Sequence, residues 1–276
     1  MVDSGYTGTS FGLDKVFDPP LVRAMFGALL VCVPSGLYGQ ATPTASTNRK
    51  IVIRVPFVGC RSDGQVGPLN APIGKSKVVP IAAEAAQRLS YYKAEDGFGV
   101  LAPRGWYCFG TYGSNGANLY VSATPIHGDD VLFAKKWKGF TGPVVQLSFS
   151  DGDTSGRFSV ARMIARVFPE RGAFVHSVVE EGIEPANAFP SGPYPKDKLT
   201  YRSNDLVEYE TPPETDGLGM QSRLLKNSEP IRGAAMLVGE TPDLAYLAVR
   251  LSPEMSDLAP NIVQQMERDA AKLPKN

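Results

Sequence analysis

Only two histidines, His127 and His176, occur among 276 residues. Acid–base and nucleophilic chemistry near neutral pH most often recruits imidazole, so the choice of catalytic base is narrow. Cysteine is also scarce: Cys32, Cys60 and Cys108 stand far apart and form no CxxC pair. With so few histidines beside them, a Cys/His zinc site has no ligand set at a recognised spacing. The formal net charge is zero, and no basic run exceeds two residues, as in Lys135-Lys136. A nucleic-acid partner, which needs a basic face, is therefore not expected, nor is a polybasic membrane-surface role. The ten-residue apolar run Ala24 to Val33 falls far short of the roughly 20 residues needed to span a bilayer, so no transmembrane segment is expected. The sequence has no Walker loop, dinucleotide fingerprint or H-E-x-x-H, the chain after Ala41 has no G-x-S-x-G elbow, and no cofactor is expected.

What the sequence does contain begins with an export signal. Arg23 supplies a short positive start, Ala24 to Val33 an apolar centre, and Pro34 and Gly36 a break before the small-x-small site Gly39-Gln40-Ala41. Residues 22–41 thus read as a secretory signal peptide, which places the protein in the periplasm or outside the cell. A buried core helix fits this run less well, because Gly27, Pro34 and Gly36 crowd it and no amphipathic period is visible. A lipid anchor at Cys32 is disfavoured by Val31, where a small residue is required. Residues 1–21 suit a signal poorly, since Asp3, Asp14 and Asp18 outnumber Lys15. They read as a doubtful N-terminal extension, with the expected translation start near Val22 or Met25.

Cleavage after Ala41 leaves residues 42–276, with 42–50 a polar lead-in and 51–276 long enough for one sizeable core. It removes Cys32 and leaves Cys60 and Cys108. In an oxidising compartment the simplest outcome is one disulfide; the alternatives are a thiolate nucleophile or a metal ligand.

Strands are expected at 51–58, 99–102, 106–111, 118–123, 144–150, 199–202, 206–211, 233–238 and 244–251 from β-branched content and alternation. The Asn115-Gly116 pair marks a hairpin turn. Helical spacing predicts helices over 80–95, 159–168, 173–181 and 261–272; Ser252-Pro253-Glu254 is a helix opening, and Pro260 splits the region it begins into a short turn and the longer terminal helix. Four prolines between 185 and 198 exclude regular structure there and mark either a long surface loop or a subdomain boundary. No regular βαβ series runs through the chain. The class expected is α+β, mainly antiparallel sheet with helices packed on one face and one disulfide.

Four constellations carry candidate chemistry. Arg104 to Tyr120 (RGWYCFGTYGSNGANLY) concentrates aromatics among glycines, and Trp106, Tyr107, Tyr112 and Asn115 are candidate ligand-binding residues for sugar or peptidoglycan stacking. The competing reading is a hairpin whose aromatics fill the core beside the disulfide. Asp151, Asp153 and Ser155 copy the first half of an EF-hand loop, but Arg162 occupies the position of the essential bidentate Glu. No metal is expected there, and helix capping by Asp153, Thr154 or Ser155 is preferred. His127 lies beside Asp129 and Asp130, and a catalytic arrangement with Ser114 or Ser122 can be drawn, whereas His176 reads as a structural helix residue. Glu208 and Glu210 share a strand face, and Glu180-Glu181 closes a helix. Such pairs serve glycosidases but more often form a solvated face.

The segments GWYCFGTYGSNG, PYPKDKL and VEYETP resemble those of uncharacterised secreted or periplasmic proteins of Gram-negative bacteria, a family with no assigned activity. The resemblance covers most of the chain after Ala41 and implies an exported bacterial protein, with no catalytic residue to carry over. The function expected is therefore a non-enzymatic exported protein that binds an envelope component or a protein partner. The alternative is an envelope-acting hydrolase using His127 with a nearby Ser or Asp.

Overall fold

The β-branched and aromatic segments pair into two sheets. The computed structural model describes residues 52–132 and 137–274. The 22–41 segment read as an export signal, residues 1–21 before it and the expected lead-in 42–50 lie outside the described residues. A four-stranded sheet is built from β1 (Val52–Gly59), β3 (Ser76–Pro80), β4 (Leu89–Lys93) and β5 (Val100–Pro103), in the order β3-β1-β4-β5. The larger sheet has eight strands: β2 (Ser62–Gly64), β6 (Tyr107–Gly113), β7 (Gly116–Ser122), β8 (Val144–Ser150), β9 (Lys198–Ser203), β10 (Leu206–Thr211), β11 (Ile231–Val238) and β12 (Asp243–Arg250). Their spatial order is β2-β6-β7-β8-β12-β11-β10-β9. All neighbours run antiparallel except β1 with β4 and β2 with β6. The α+β class and the mainly antiparallel sheet are thus present.

Alternation decides which side of the larger sheet meets which layer. On β12, Ala245, Leu247 and Val249 face a core shared with the smaller sheet and with α5 (Ala259–Ala270) through Ile262, Val263 and Met266. Leu244, Tyr246 and Ala248 face the opposite core, which is closed by α3 (Arg157–Val167) through Val160, Met163, Ile164 and Val167. The following helix, α4 (Gly172–Glu180), packs onto α3 through Phe174, Val175 and Val178. Helices therefore cover both faces of the larger sheet rather than the one face expected. The physical reason is that every residue of β12 is buried, so neither side of the central strand tolerates water.

Most elements fall where periodicity places them, with one substantial difference. The helix expected over 80–95 stops after α1 (Ala83–Arg88), and residues 89–93 form β4 instead. Leu89, Ser90, Tyr91 and Tyr92 are all buried between β1 and β5, which a helix with one apolar stripe cannot achieve. The Tyr91 hydroxyl donates to Asp269 of α5 at 3.0 Å, tying the small sheet to that helix. The region from Ser252 onward divides at Pro260 as expected, into the short 3-10 turn Pro253–Leu258 and the terminal helix α5, with Pro260 in the helix's first turn, where a missing N–H costs nothing. The proline-rich stretch 185–198 packs on α3: Phe189 is buried, and the Gly192 N–H donates to the Ala165 carbonyl at 2.9 Å.

Cys60 and Cys108 form a disulfide with 5.5 Å between Cα atoms. It joins the β1–β2 connection to β6 and so links the smaller sheet to the edge of the larger one. The β6–β7 hairpin turns at the expected place, and Gly116 has φ of +117°. A Cβ there would lie 1.9 Å from the Phe149 carbonyl oxygen, so β7 approaches β8 only because residue 116 is glycine. Among the described residues, no helix is long and apolar enough to cross a membrane.

Candidate functional site

Beyond the reach of α3, the same face of the larger sheet changes from apolar to polar. Two cross-strand rows account for the change. Phe109, Tyr120 and Gln146 stand in register across β6, β7 and β8. Thr111, Asn118 and Ser148 form the next row and meet Tyr246 of β12. Apart from Phe109, these side chains make the floor of a cleft of about 590 Å³. Its walls are Ser159, Arg162 and Met163 of α3, residues 221–223, and Val131 and Leu132 at the end of α2 (Gly128–Leu132).

The floor is held by a directed hydrogen-bond chain. Gln146 Nε2 donates to Ser148 Oγ at 3.0 Å, and Ser148 Oγ donates to Asn118 Oδ1 at 2.6 Å. Asn118 Nδ2 then donates to Thr111 Oγ1 at 3.3 Å. A primary amide carries two N–H donors, so Asn118 and Gln146 each keep one beyond these bonds. Gln146 is only 3% exposed, and its Oε1 accepts the main-chain N–H of Arg223 at 2.7 Å. Burial raises the Tyr120 hydroxyl above its ordinary range, while Thr111 and the Arg223 guanidinium act the other way. Because the floor is built on β-strands that are hydrogen-bonded on both sides, its donors and acceptors are preorganised for a ligand.

Arg162, Arg223 and Tyr120 line the cleft, while Trp137 and Phe140 line an adjoining cavity and reach the cleft through their contacts with Arg223 and Tyr120. The Arg223 guanidinium lies 5.9 Å from the centre of the Trp137 ring, which meets Phe140 edge-on at 5.2 Å. Phe140 in turn lies 5.6 Å from the Tyr120 ring. Arg162 is ion-paired with Glu184 and stands over the Phe189 ring.

The sequence-derived candidates divide around this cleft. Tyr112 and Asn115 line its hairpin end, and the Tyr112 hydroxyl donates to the Gly67 carbonyl. Trp106 packs instead against the core on the opposite face of the sheet, and Tyr107 is 52% exposed at the open end of the hairpin. Ser114 Oγ pairs with Ser155 Oγ at 3.2 Å, at the hairpin tip. Ser122 lies at the hairpin's other end, so a seven-residue strand, roughly 20 Å long, separates the two serines. His127 shares a cavity of about 240 Å³ with Ser122, Asp130 and Trp137. Ser122 Oγ there bonds to the N–H and hydroxyl of Thr124, and no described side chain hydrogen-bonds the His127 imidazole. Asp129 belongs to α2, and its side chain lies outside what is described.

The 151–156 loop works as a turn. Asp151 Oδ1 accepts the Asp153 N–H at 2.8 Å, and Thr154 Oγ1 accepts that of Gly156 at the start of α3. Arg162, at the position a calcium loop needs for Glu, belongs to the Glu184 pair. No group of three or more His, Cys, Asp or Glu among the described residues is arranged to hold a metal ion.

Glu208 and Glu210 form an ion-pair ladder. Arg202 clamps both oxygens of Glu208, while Glu210 takes Lys198 at 2.8 Å and Arg232 at 2.7 Å. Glu267 of α5 faces this ladder. Burial, followed by the Glu208 carboxylate, pushes its carboxyl up to about 7.

Gln146, Ser148, Asn118 and Arg223 were not singled out by motif. Asn118, Gln146 and Ser148 occupy the polar side of strands that otherwise alternate cleanly, which sequence assigns to solvent by default, while Arg223 lies in a loop and carries no such signal. Comparison with known family models, curated proteins and solved structures finds no match for the chain.

Proposed function

We propose that this is an exported, non-catalytic binding protein of the bacterial envelope whose cleft holds a hydroxyl-rich ligand such as a glycan. The observation that carries the reading is the Thr111–Asn118–Ser148 row with Gln146 beside it. Amides and hydroxyls fixed on a rigid sheet at the base of a cleft match the alternating donors and acceptors of a sugar, and the Tyr120 ring offers apolar surface beside them, backed by Phe140 and Trp137 in the adjoining cavity. The periplasmic or secreted location is supported by the 22–41 export pattern, by the resemblance to secreted Gram-negative proteins, and by the Cys60–Cys108 disulfide.

The test is fluorescence titration with soluble peptidoglycan fragments. Trp106 lies in the core away from the cleft, so W106F isolates the signal of Trp137, whose ring neighbours Arg223. Saturable quenching or enhancement that Asn118→Ala abolishes is the expected result. No response to fragments or to a panel of other glycans refutes the reading.

A hydrolase centred on His127 has one observation in its favour, the cavity shared with Ser122 and Asp130. Against it, the Ser122 hydroxyl is already bonded to Thr124. Product release from labelled glycan that disappears in H127A would establish catalysis in place of simple binding.

A further inference from the structure

The electrostatics of the cleft narrow its ligand class, an inference that rests on the saccharide reading above. Among the described lining residues, Arg162 and Arg223 are the only charged side chains, and neither Asp nor Glu is present. In a chain with 28 basic and 28 acidic residues, a cleft of one sign is a local departure from balance. The two arginines are not equivalent. Arg162 is neutralised by Glu184. Arg223 forms no ion pair with a described carboxylate; its guanidinium stands over the Trp137 ring and beside the Tyr120 hydroxyl. Its main chain is fixed to the floor through Gln146, so the cation is anchored next to the polar row.

We propose that the cleft selects an acidic saccharide, with Arg223 pairing to the ligand's carboxylate or phosphate while Asn118, Ser148 and Gln146 hold its hydroxyls. A guanidinium presents paired N–H donors that match either anion in a bidentate geometry. A neutral sugar would leave that charge to water. The partly enclosed site strengthens the attraction relative to open solvent, and the attraction weakens as salt screens it.

The experiment measures affinity by calorimetry for three matched pairs: oligogalacturonate against its neutral methyl ester, mannose 6-phosphate against mannose, and glucuronic acid against glucose. At least one anionic sugar should bind tenfold or more tightly than its neutral partner, and the ratio should shrink between low and high salt. The carboxylate and phosphate arms distinguish the two anion sources. Arg223→Gln should bring the anionic sugar down to the affinity of its neutral partner, and Arg223→Lys should restore part of the ratio. Arg54→Gln, which removes an exposed charge on β1, should leave the ratio intact and so excludes a general charge effect. Equal affinities within every pair overturn the acidic-ligand inference while leaving the saccharide reading in place. Absence of binding by every sugar overturns the saccharide reading itself.

Discussion

The Arg223 main-chain N–H donates to Gln146 Oε1 at 2.7 Å, joining the loop after the 3-10 turn Leu218–Gln221 to the floor of the cleft. One buried amide thus serves two purposes: its oxygen holds the loop that carries the cation, and its nitrogen starts the hydrogen-bond chain through Ser148 to Asn118. Gln146→Leu keeps much of the volume but leaves the Arg223 N–H without its acceptor. The expected cost is about 1–3 kcal/mol of stability in urea unfolding, together with weakened glycan binding. A variant with wild-type stability and affinity would show that neither bond matters.

Arg250 provides a second anchor for the same loop. It is fully buried, and its guanidinium donates to the carbonyls of Phe140 and Leu225. The Leu225 N–H in turn donates to the Phe140 carbonyl at 2.9 Å, so two chain segments are stitched together next to the Arg223 position. Burial lowers the Arg250 pKa, although the distant carboxylates of Glu214 and Glu229 act against that. Arg250→Met removes the desolvated charge and also both donors. Because the Leu225 carbonyl then loses its partner and the Phe140 carbonyl keeps only the Leu225 N–H, a net loss of about 2 kcal/mol is expected, with faster hydrogen exchange at the Leu225 amide. Stabilisation by this variant would mean that the desolvation cost exceeds the value of the two bonds.

Much of this arrangement was visible in the sequence, and the reason for the remainder is specific. Strands β8 and β10 and the turn at Gly116 follow from alternation and from Asn-Gly chemistry, both of which are local. The 89–93 segment has helical spacing by accident, because it is a strand buried on both faces, which only its neighbours β1 and β5 reveal. Tyr112 and Asn115 lay in a conspicuous Gly/aromatic segment. Gln146 and Ser148 carry the same polar alternation that a solvent-facing strand would show, and what excludes bulk water from them comes from the tertiary placement of α2, α3 and the 221–223 segment, the last of these far away in sequence. Arg223 had no local signal at all, since its role depends on Gln146 and Trp137 being brought to it.

The disulfide makes a prediction independent of the cleft. Cys60 and Cys108 are 48 residues apart, and the chain-entropy model assigns about 4 kcal/mol to closing such a loop. Reduction, or Cys60→Ala with Cys108→Ala, should lower stability by that order. Peptide mapping without reductant should recover the two cysteines in one linked fragment. Free thiols at both positions in protein isolated without reductant would contradict the bond.

Glu267 sets a pH dependence whose sign follows from its surroundings. The groups facing it are Glu208 and Arg202 from the neighbouring strands and Arg268 from its own helix. Burial and Glu208 favour the neutral acid and the arginines oppose it, with the net result that the carboxyl titrates at about 7 instead of the ordinary 4.5. The folded protein therefore binds the proton more tightly than the unfolded chain does. Its stabilising contribution is complete below about pH 4.5 and is lost as pH rises through about 7. A full conversion of the shift would be about 3 kcal/mol, but the group is half exposed, and screening reduces the expectation to ~1–2 kcal/mol. Glu267→Gln mimics the neutral form at every pH. The variant should be more stable than wild type at pH 8, similar at pH 4.5, and flatter in between when unfolding free energy is measured in urea. A wild-type profile that rises from pH 5 to pH 7, with no difference in E267Q, would mean that Glu267 stays ionised in the fold and that Arg202 and Arg268 outweigh Glu208.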